Sequence, residues 1–132
     1  MSTVTPFLMF QGQAEKAMNA YVSLIEGSEI KRITRYGPNE AGPEGSVMQA
    51  TFSLKGQEIM CIDSNIEHAF TFTPSFSLFI ACDTEQELDK LYAGLSKDGK
   101  ELMPLGDYGF SKKFGWLVDR FGVSWQLNLP HD

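Results

Sequence analysis

Cysteine is scarce in this chain: two in 132 residues, Cys61 and Cys82, and neither stands in a CxxC or other metal-ligand spacing. Both fall in apolar segments, so the sequence predicts two buried free thiols in a reducing compartment rather than a disulfide framework. Histidine is equally scarce. His68 lies in the stretch "DSNIEHAF", near Asp63 and Glu67 but without ligand spacing, and His131 sits in a short tail after Pro130; both read as surface residues. Long hydrophobic runs are missing, since no apolar stretch approaches the roughly 20 residues of a membrane span. The start, "MSTVTPFLMFQG", carries neither a basic n-region nor a small-residue cleavage site, so the expected location is the cytoplasm. Positive charge is also in short supply. Eleven Lys and Arg stand against 17 Asp and Glu, a net charge of −6. That balance speaks against nucleic acid as a partner, and the lone basic pair Lys112-Lys113 does not reverse it. No Ser-His-acid or Cys-His spacing marks a nucleophile.

What is there is a pattern of short apolar segments. "TPFLMF" (5–10) reads as a strand. Ala14, Ala17, Met18, Tyr21, Val22, Leu24 and Ile25 follow at helical spacing, with Gly27 as the stop. "SEIKRITRYG" reads as a strand with Ile30 and Ile33 on different faces. A turn-rich loop (38–45) precedes "SVMQATFSL" and "QEIMCIDS", two strands joined at Lys55-Gly56 by a tight hairpin. After an aromatic connector punctuated by Pro74 the order begins again. "SFSLFIACD" is a strand. "TEQELDKLYAGLSKDG" is an amphipathic helix with Thr84 as N-cap and Glu87 three residues on, the spacing of a capping box. "KELMP" is a short strand, "GDYGFSKK" an irregular stretch, and "FGWLVDRFGVSWQLNLP" a hairpin turning at 119–122.

Strand, helix and three strands therefore occur twice, and the final hairpins align with Met60 on Gln126 and Ile59 on Trp125. The expected fold class is α+β: two βαβββ modules, about 5–64 and about 75–130 of a single domain, forming one curved mixed sheet around a cleft with the helices outside. Alternation in the last strand puts Ser124, Gln126 and Asn128 on one face and Val123, Trp125, Leu127 and Leu129 on the other. Glu58, Met60 and Ile62 are their counterparts in the first module. The amide of Gln126 faces either water or a site.

The segments "FLMFQGQAEKAMNAYVSLI", "GSVMQATFSLKGQEIMCIDS", "EHAFTFTPSFSLFIACDT" and, above all, "DYGFSKKFGWLVDRFGVSWQL" resemble the PhnB-like proteins of the vicinal oxygen chelate (glyoxalase/bleomycin resistance/dioxygenase) superfamily. Members of that family often carry the name 3-demethylubiquinone-9 3-methyltransferase. The resemblance implies paired modules, a cup-shaped cleft and commonly a homodimer. Metal-dependent members of the superfamily place His, Glu or Gln on the first and last strand of each module. Aligned that way, this chain offers Pro6 (or Phe7), Met60, Ser77 and Gln126. Only Gln126 is a credible ligand, so no metal is expected. Nor is a methyl-donor cofactor expected, because the strand-to-helix turn "FQGQAEKA" has one glycine and no doubly wound pattern surrounds it. The reading is a protein that binds a small, partly apolar molecule, with Gln126, Met60, Trp116, Ser77, Ser124 and Phe114 as ligand-binding candidates. For the aromatics, ordinary core packing is the competing reading. The alternative function is an enzyme of the superfamily, a lyase, isomerase, dioxygenase or the methyltransferase of the family name. Glu58 would then be the candidate general base if the cleft buries it, since desolvation raises a carboxyl pKa.

Overall fold

The computed structural model describes residues 2–132. It divides after His68 into two compact units. Unit one runs β1 (Phe7–Phe10), α1 (Ala14–Leu24), β2 (Ser28–Arg35), β3 (Val47–Leu54) and β4 (Gln57–Asp63). Unit two runs β5 (Ser77–Ala81), α2 (Glu85–Ser96), β6 (Lys100–Gly106), β7 (Lys113–Val118) and β8 (Ser124–Leu129). The doubled βαβββ order is thus present as read. The ladders form two four-stranded sheets, ordered β1-β4-β3-β2 and β5-β8-β7-β6. In each, the first strand pairs parallel with the last and the other pairings are antiparallel, so both sheets are mixed.

Two local expectations change. Ile30 and Ile33 share a face. A register shift between Ile30 and Arg32 absorbs one extra residue, and Ile30 then lies opposite Phe52 and Ile33 opposite Ala50. A β-bulge of this kind resets the alternation that simple counting assumes. Strand β6 runs on to Gly106 past Pro104, which an edge strand with shifts on both sides of Met103 tolerates. The first hairpin is as expected: Lys55 and Gly56 have φ of 51° and 91°, the left-handed pair a two-residue type I′ turn requires.

In unit one the buried stripe of α1, Ala14, Ala17, Met18 and Tyr21, covers the face carrying Leu8, Phe52, Ile59 and Cys61. Tyr21 and Phe52 pack with ring centroids 6.3 Å apart. Both cysteines are free and buried, as the sequence predicts. Burial, with the Asp63 carboxylate adding to it, raises the Cys61 thiol from 9.0 to about 12. The folded chain therefore holds this proton where the unfolded chain has released it. Stability should be unaffected by this group below pH 9 and should fall as pH climbs from 9 towards 12. Thermal melts across that range should show the decline, with a shallower slope in Cys61→Ala. A slope identical in both proteins would count against the assignment.

The two helix starts are held differently. Thr84 caps α2 by accepting from the Glu87 amide at 3.1 Å, and the Glu87 carboxylate reaches back to the Asp83 amide at 2.8 Å. That is the expected box, closed one residue earlier than the usual form. Helix α1 has no side-chain cap of its own at Gln13. Its start is held from β4: Asp63 Oδ1 accepts from the Gly12 and Ala14 amides at 2.9 Å each, and Oδ2 accepts from the Val47 amide at 3.0 Å.

In unit two Leu88, Leu91, Tyr92 and Leu95 of α2 cover Leu117, Trp125 and Leu127. The helix comes close because β7 carries Gly115. A Cβ there would meet the Tyr92 ring at 2.6 Å and Leu105 at 2.8 Å. The β7–β8 turn is organised by Asp119, which accepts from the Phe121 and Val123 amides at 2.8 and 3.0 Å and from Trp125 Nε1 at 2.8 Å.

Candidate functional site

Each sheet has one face under its helix and one face that the helix leaves open. In unit two the β7–β8 register sets Trp116 opposite Gln126 and Val118 opposite Ser124. The parallel β5–β8 register sets Ser77 opposite Ser124 and Phe79 opposite Gln126. Paired residues point the same way, so Ser77, Phe79, Trp116, Ser124 and Gln126 share the open face. Four of them form a continuous hydrogen-bonded row. Trp116 Nε1 donates to Ser124 Oγ at 2.8 Å, Ser124 and Ser77 hydroxyls pair at 2.7 Å, and Gln126 Nε2 donates to Ser77 Oγ at 3.3 Å. Ser124 is buried at the centre of the row, while Ser77, Trp116 and Gln126 are half-buried and Phe79 is 59% exposed. Asn128 lies on the same face, and its Oδ1 is buried without a hydrogen-bond partner among the described residues.

The six ligand-binding candidates fall in three places. Ser77, Trp116, Ser124 and Gln126 come together in this row. Phe114 lies on the same side of β7 but is buried beneath the 107–112 segment, edge-on to Phe110 at 5.0 Å and to Tyr108 at 6.2 Å. Met60 belongs to unit one, half-buried on the open face of that sheet, opposite Thr51 on one side and Phe7 on the other. Glu58 shares that face, but its side chain is 50% exposed and paired with Lys31 at 3.3 Å. The burial on which a general-base role depended is therefore absent. His68 bonds the Ser64 hydroxyl through Nε2 at 3.0 Å. Sequence reasoning did not single out Phe79. It lies opposite Gln126, and its counterpart Phe7 lies opposite Met60. Counting from the helices puts Pro6 or Phe7 and Ser77 there; Phe7 is the residue opposite Met60, whereas Pro6 precedes β1 and its carbonyl accepts from the Met60 amide at 2.9 Å.

The doubled βαβββ order and the mixed sheets define the class as the glyoxalase/bleomycin resistance fold. A glyoxylase/bleomycin resistance protein/dioxygenase domain from Frankia sp. EAN1pec matches at a TM-score of 0.66 with 16% identity, covering 99% of each chain, a likeness of fold. The model of the 3-demethylubiquinone-9 3-methyltransferase family matches residues 2–128, and the chain belongs to that family. A solved PhnB protein from Bacillus cereus, provisionally named for the same methyltransferase, is 58% identical. It covers 97% of this chain and 99% of its own, with a TM-score of 0.94. Protein YjdN of Escherichia coli K12 is 24% identical over 140 residues, 96% of this chain and 94% of that protein.

The family name implies an adenosyl methyl donor, and the superfamily a divalent metal. Neither fits the residues present. In the β1–α1 turn, the Gly12 and Ala14 amides that could cradle an anionic or hydroxylated cofactor are taken by Asp63. Among the described residues no doubly wound parallel sheet flanks the turn. At the positions that the resemblance assigns to ligands stand Pro6 or Phe7, Met60, Ser77 and Gln126, a set without a carboxylate or imidazole. Among the described residues no group of three or more His, Cys, Asp and Glu could hold a metal. Among the same residues no helix is long and apolar enough to cross a membrane.

Proposed function

We propose that this chain binds a small, partly apolar molecule on the open face of unit two, without the metal of its superfamily. The observation that carries this reading is the row Trp116–Ser124–Ser77–Gln126 with the orphaned Asn128 Oδ1 beside it. A buried carbonyl without a donor is a costly arrangement, and an incoming N–H or O–H group relieves it. Trp116 and Phe79 offer flat apolar surface next to these polar atoms. A ligand with one ring and one hydrogen-bonding group answers both features. The row also supplies few groups able to move protons, which favours binding over turnover. The same reading places the protein in the cytoplasm as a homodimer, and the exposure of Phe7, Phe70 and Phe76 supports a partner copy.

Benzamide, a ring with an amide donor, is a suitable first probe. Titrated into 15N-labelled protein, it should shift the Trp116 indole signal saturably, and Gln126→Leu should weaken the response about tenfold, the loss of one good hydrogen-bonded contact. An unmoved Trp116 signal across benzamide and its phenol and benzyl alcohol analogues would sink the proposal. So would stoichiometric divalent metal in the purified protein that disappears in Gln126→Ala. Sedimentation should give a species of twice the 14.7 kDa chain mass.

A further inference from the structure

The turn that joins α2 to β6 in unit two holds a chemically labile step. Of the 12 glycines in the chain, Gly99 alone follows an Asp or Asn, so Asp98-Gly99 is the single Asp-Gly step. Both residues are exposed. In such a step no side chain on the second residue shields its amide nitrogen from the neighbouring carboxyl group.

The fold accounts for both residues separately. Lys97 has φ −60° and ψ 124°, and Asp98 has φ 59°. These are the two central positions of a type II turn over 96–99, closed by the Gly99 amide donating to the Ser96 carbonyl at 2.9 Å. The second central position needs positive φ, which Asp tolerates better than most residues. Position 99 admits no side chain. A Cβ there would collide with the Val118 carbonyl oxygen on β7 and lie 3.0 Å from the Asp119 Cα. Turn geometry therefore selects Asp98, and packing selects Gly99.

We infer that Asp98-Gly99 is a self-modification site, which isomerises from aspartyl to isoaspartyl when the turn opens and is held inert while it is closed. The Gly99 nitrogen attacks Asp98 Cγ. A C–N bond forms, the nitrogen gives up its proton, and one carboxyl oxygen leaves as water. Water then adds to the resulting succinimide ring. Opening at the side-chain carbonyl restores aspartate, and opening at the main-chain carbonyl gives isoaspartate, with no further reactant. In the folded chain the Gly99 N–H is held by the Ser96 carbonyl, and the turn fixes the Asp98 backbone. Both must be released before the ring can close, so the reaction waits on local opening at the end of α2. Isoaspartate adds one carbon to the main chain just before Lys100, which pairs with Val118. The close fit of Gly99 against Val118 leaves no room for that extra atom, so the modified chain loses the α2–β6 turn.

The test is long incubation of the full chain in 18O-labelled water, folded and in urea, with the label read by mass spectrometry on the peptide carrying Asp98. Each passage through the ring brings in one labelled oxygen. The unfolded chain should take up label and form isoaspartate about tenfold faster than the folded chain, or more. Asp98→Gly, which suits a position of positive φ, should fold as the parent does and yield no isoaspartate. The purified form modified at Asp98 should melt below the parent. Equal rates in the folded and unfolded chains overturn the inference, as does an unfolded chain that takes up no label at Asp98. Isoaspartate at the parent's level in Asp98→Gly, or a modified form as stable as the parent, overturns it equally.

Discussion

Replacing Asp63 with alanine should remove about 3–5 kcal/mol of stability, a large share of the 5–15 kcal/mol typical of a domain this size. Asp63 is 7% exposed and accepts the Gly12, Ala14 and Val47 amides. These three amides belong to the β1–α1 turn, the start of α1 and the start of β3. Losing the carboxylate leaves buried N–H groups unmatched, and each costs about 1–3 kcal/mol. It also removes a negative charge from the start of a helix, where the aligned peptide dipoles favour one. Asp63→Asn is the sharper test, because it keeps the volume. Its oxygen can serve the Gly12 and Ala14 amides, but its NH2 group then faces the Val47 N–H, donor against donor. The isosteric change should recover only part of the loss. Urea melts of the three proteins check this, and an Asp63→Asn variant as stable as the parent would refute the account.

Asp119→Ala should have an effect of similar size in unit two, on the order of 3 kcal/mol. The carboxylate is 5% exposed and holds the Phe121 and Val123 amides and the Trp125 indole N–H. The turn it organises ends in Gly122 at φ 94°, with the Gly122 amide bonded to the Asp119 carbonyl at 3.0 Å. Asp119 therefore fixes the hairpin from the turn and the core from the Trp125 ring, which is 1% exposed beneath α2. Its loss should loosen that ring as well as lower stability. The Trp125 indole proton should exchange with solvent faster in Asp119→Ala, while Asp119→Asn, which can still accept at one atom, should lie between. Because β7 and β8 also carry Trp116 and Gln126, the variant should weaken any probe bound on the open face. Protection of the Trp125 indole unchanged from the parent would exclude the role.

Much of this molecule is legible in local pattern. The doubled order of elements follows from periodicity, and the Lys55-Gly56 turn follows from residues that accept left-handed backbone. The Thr84–Glu87 cap spans three residues, and such short-range chemistry is visible in the letters. The open-face set Ser77, Trp116, Ser124 and Gln126 was also within reach, because strict alternation holds along β7 and β8. Where alternation fails, the reading fails with it. The bulge near Ile30 comes from one extra residue in β2. Nothing in the letters marks which strand absorbs it.

The sequence by itself determined the α+β class, the two modules and the free buried cysteines. Those properties rest on composition and on interactions between near neighbours. Tertiary structure alone decided that Asp63 caps a helix whose first residue lies 49 positions earlier, and that Asp119 serves a tryptophan in the core. It also decided that Phe114 is covered and that Glu58 is paired with Lys31. Each of these depends on strand register and on which face a helix covers. Register is set by the sum of many weak packing contacts across the sheet, so no single residue announces it.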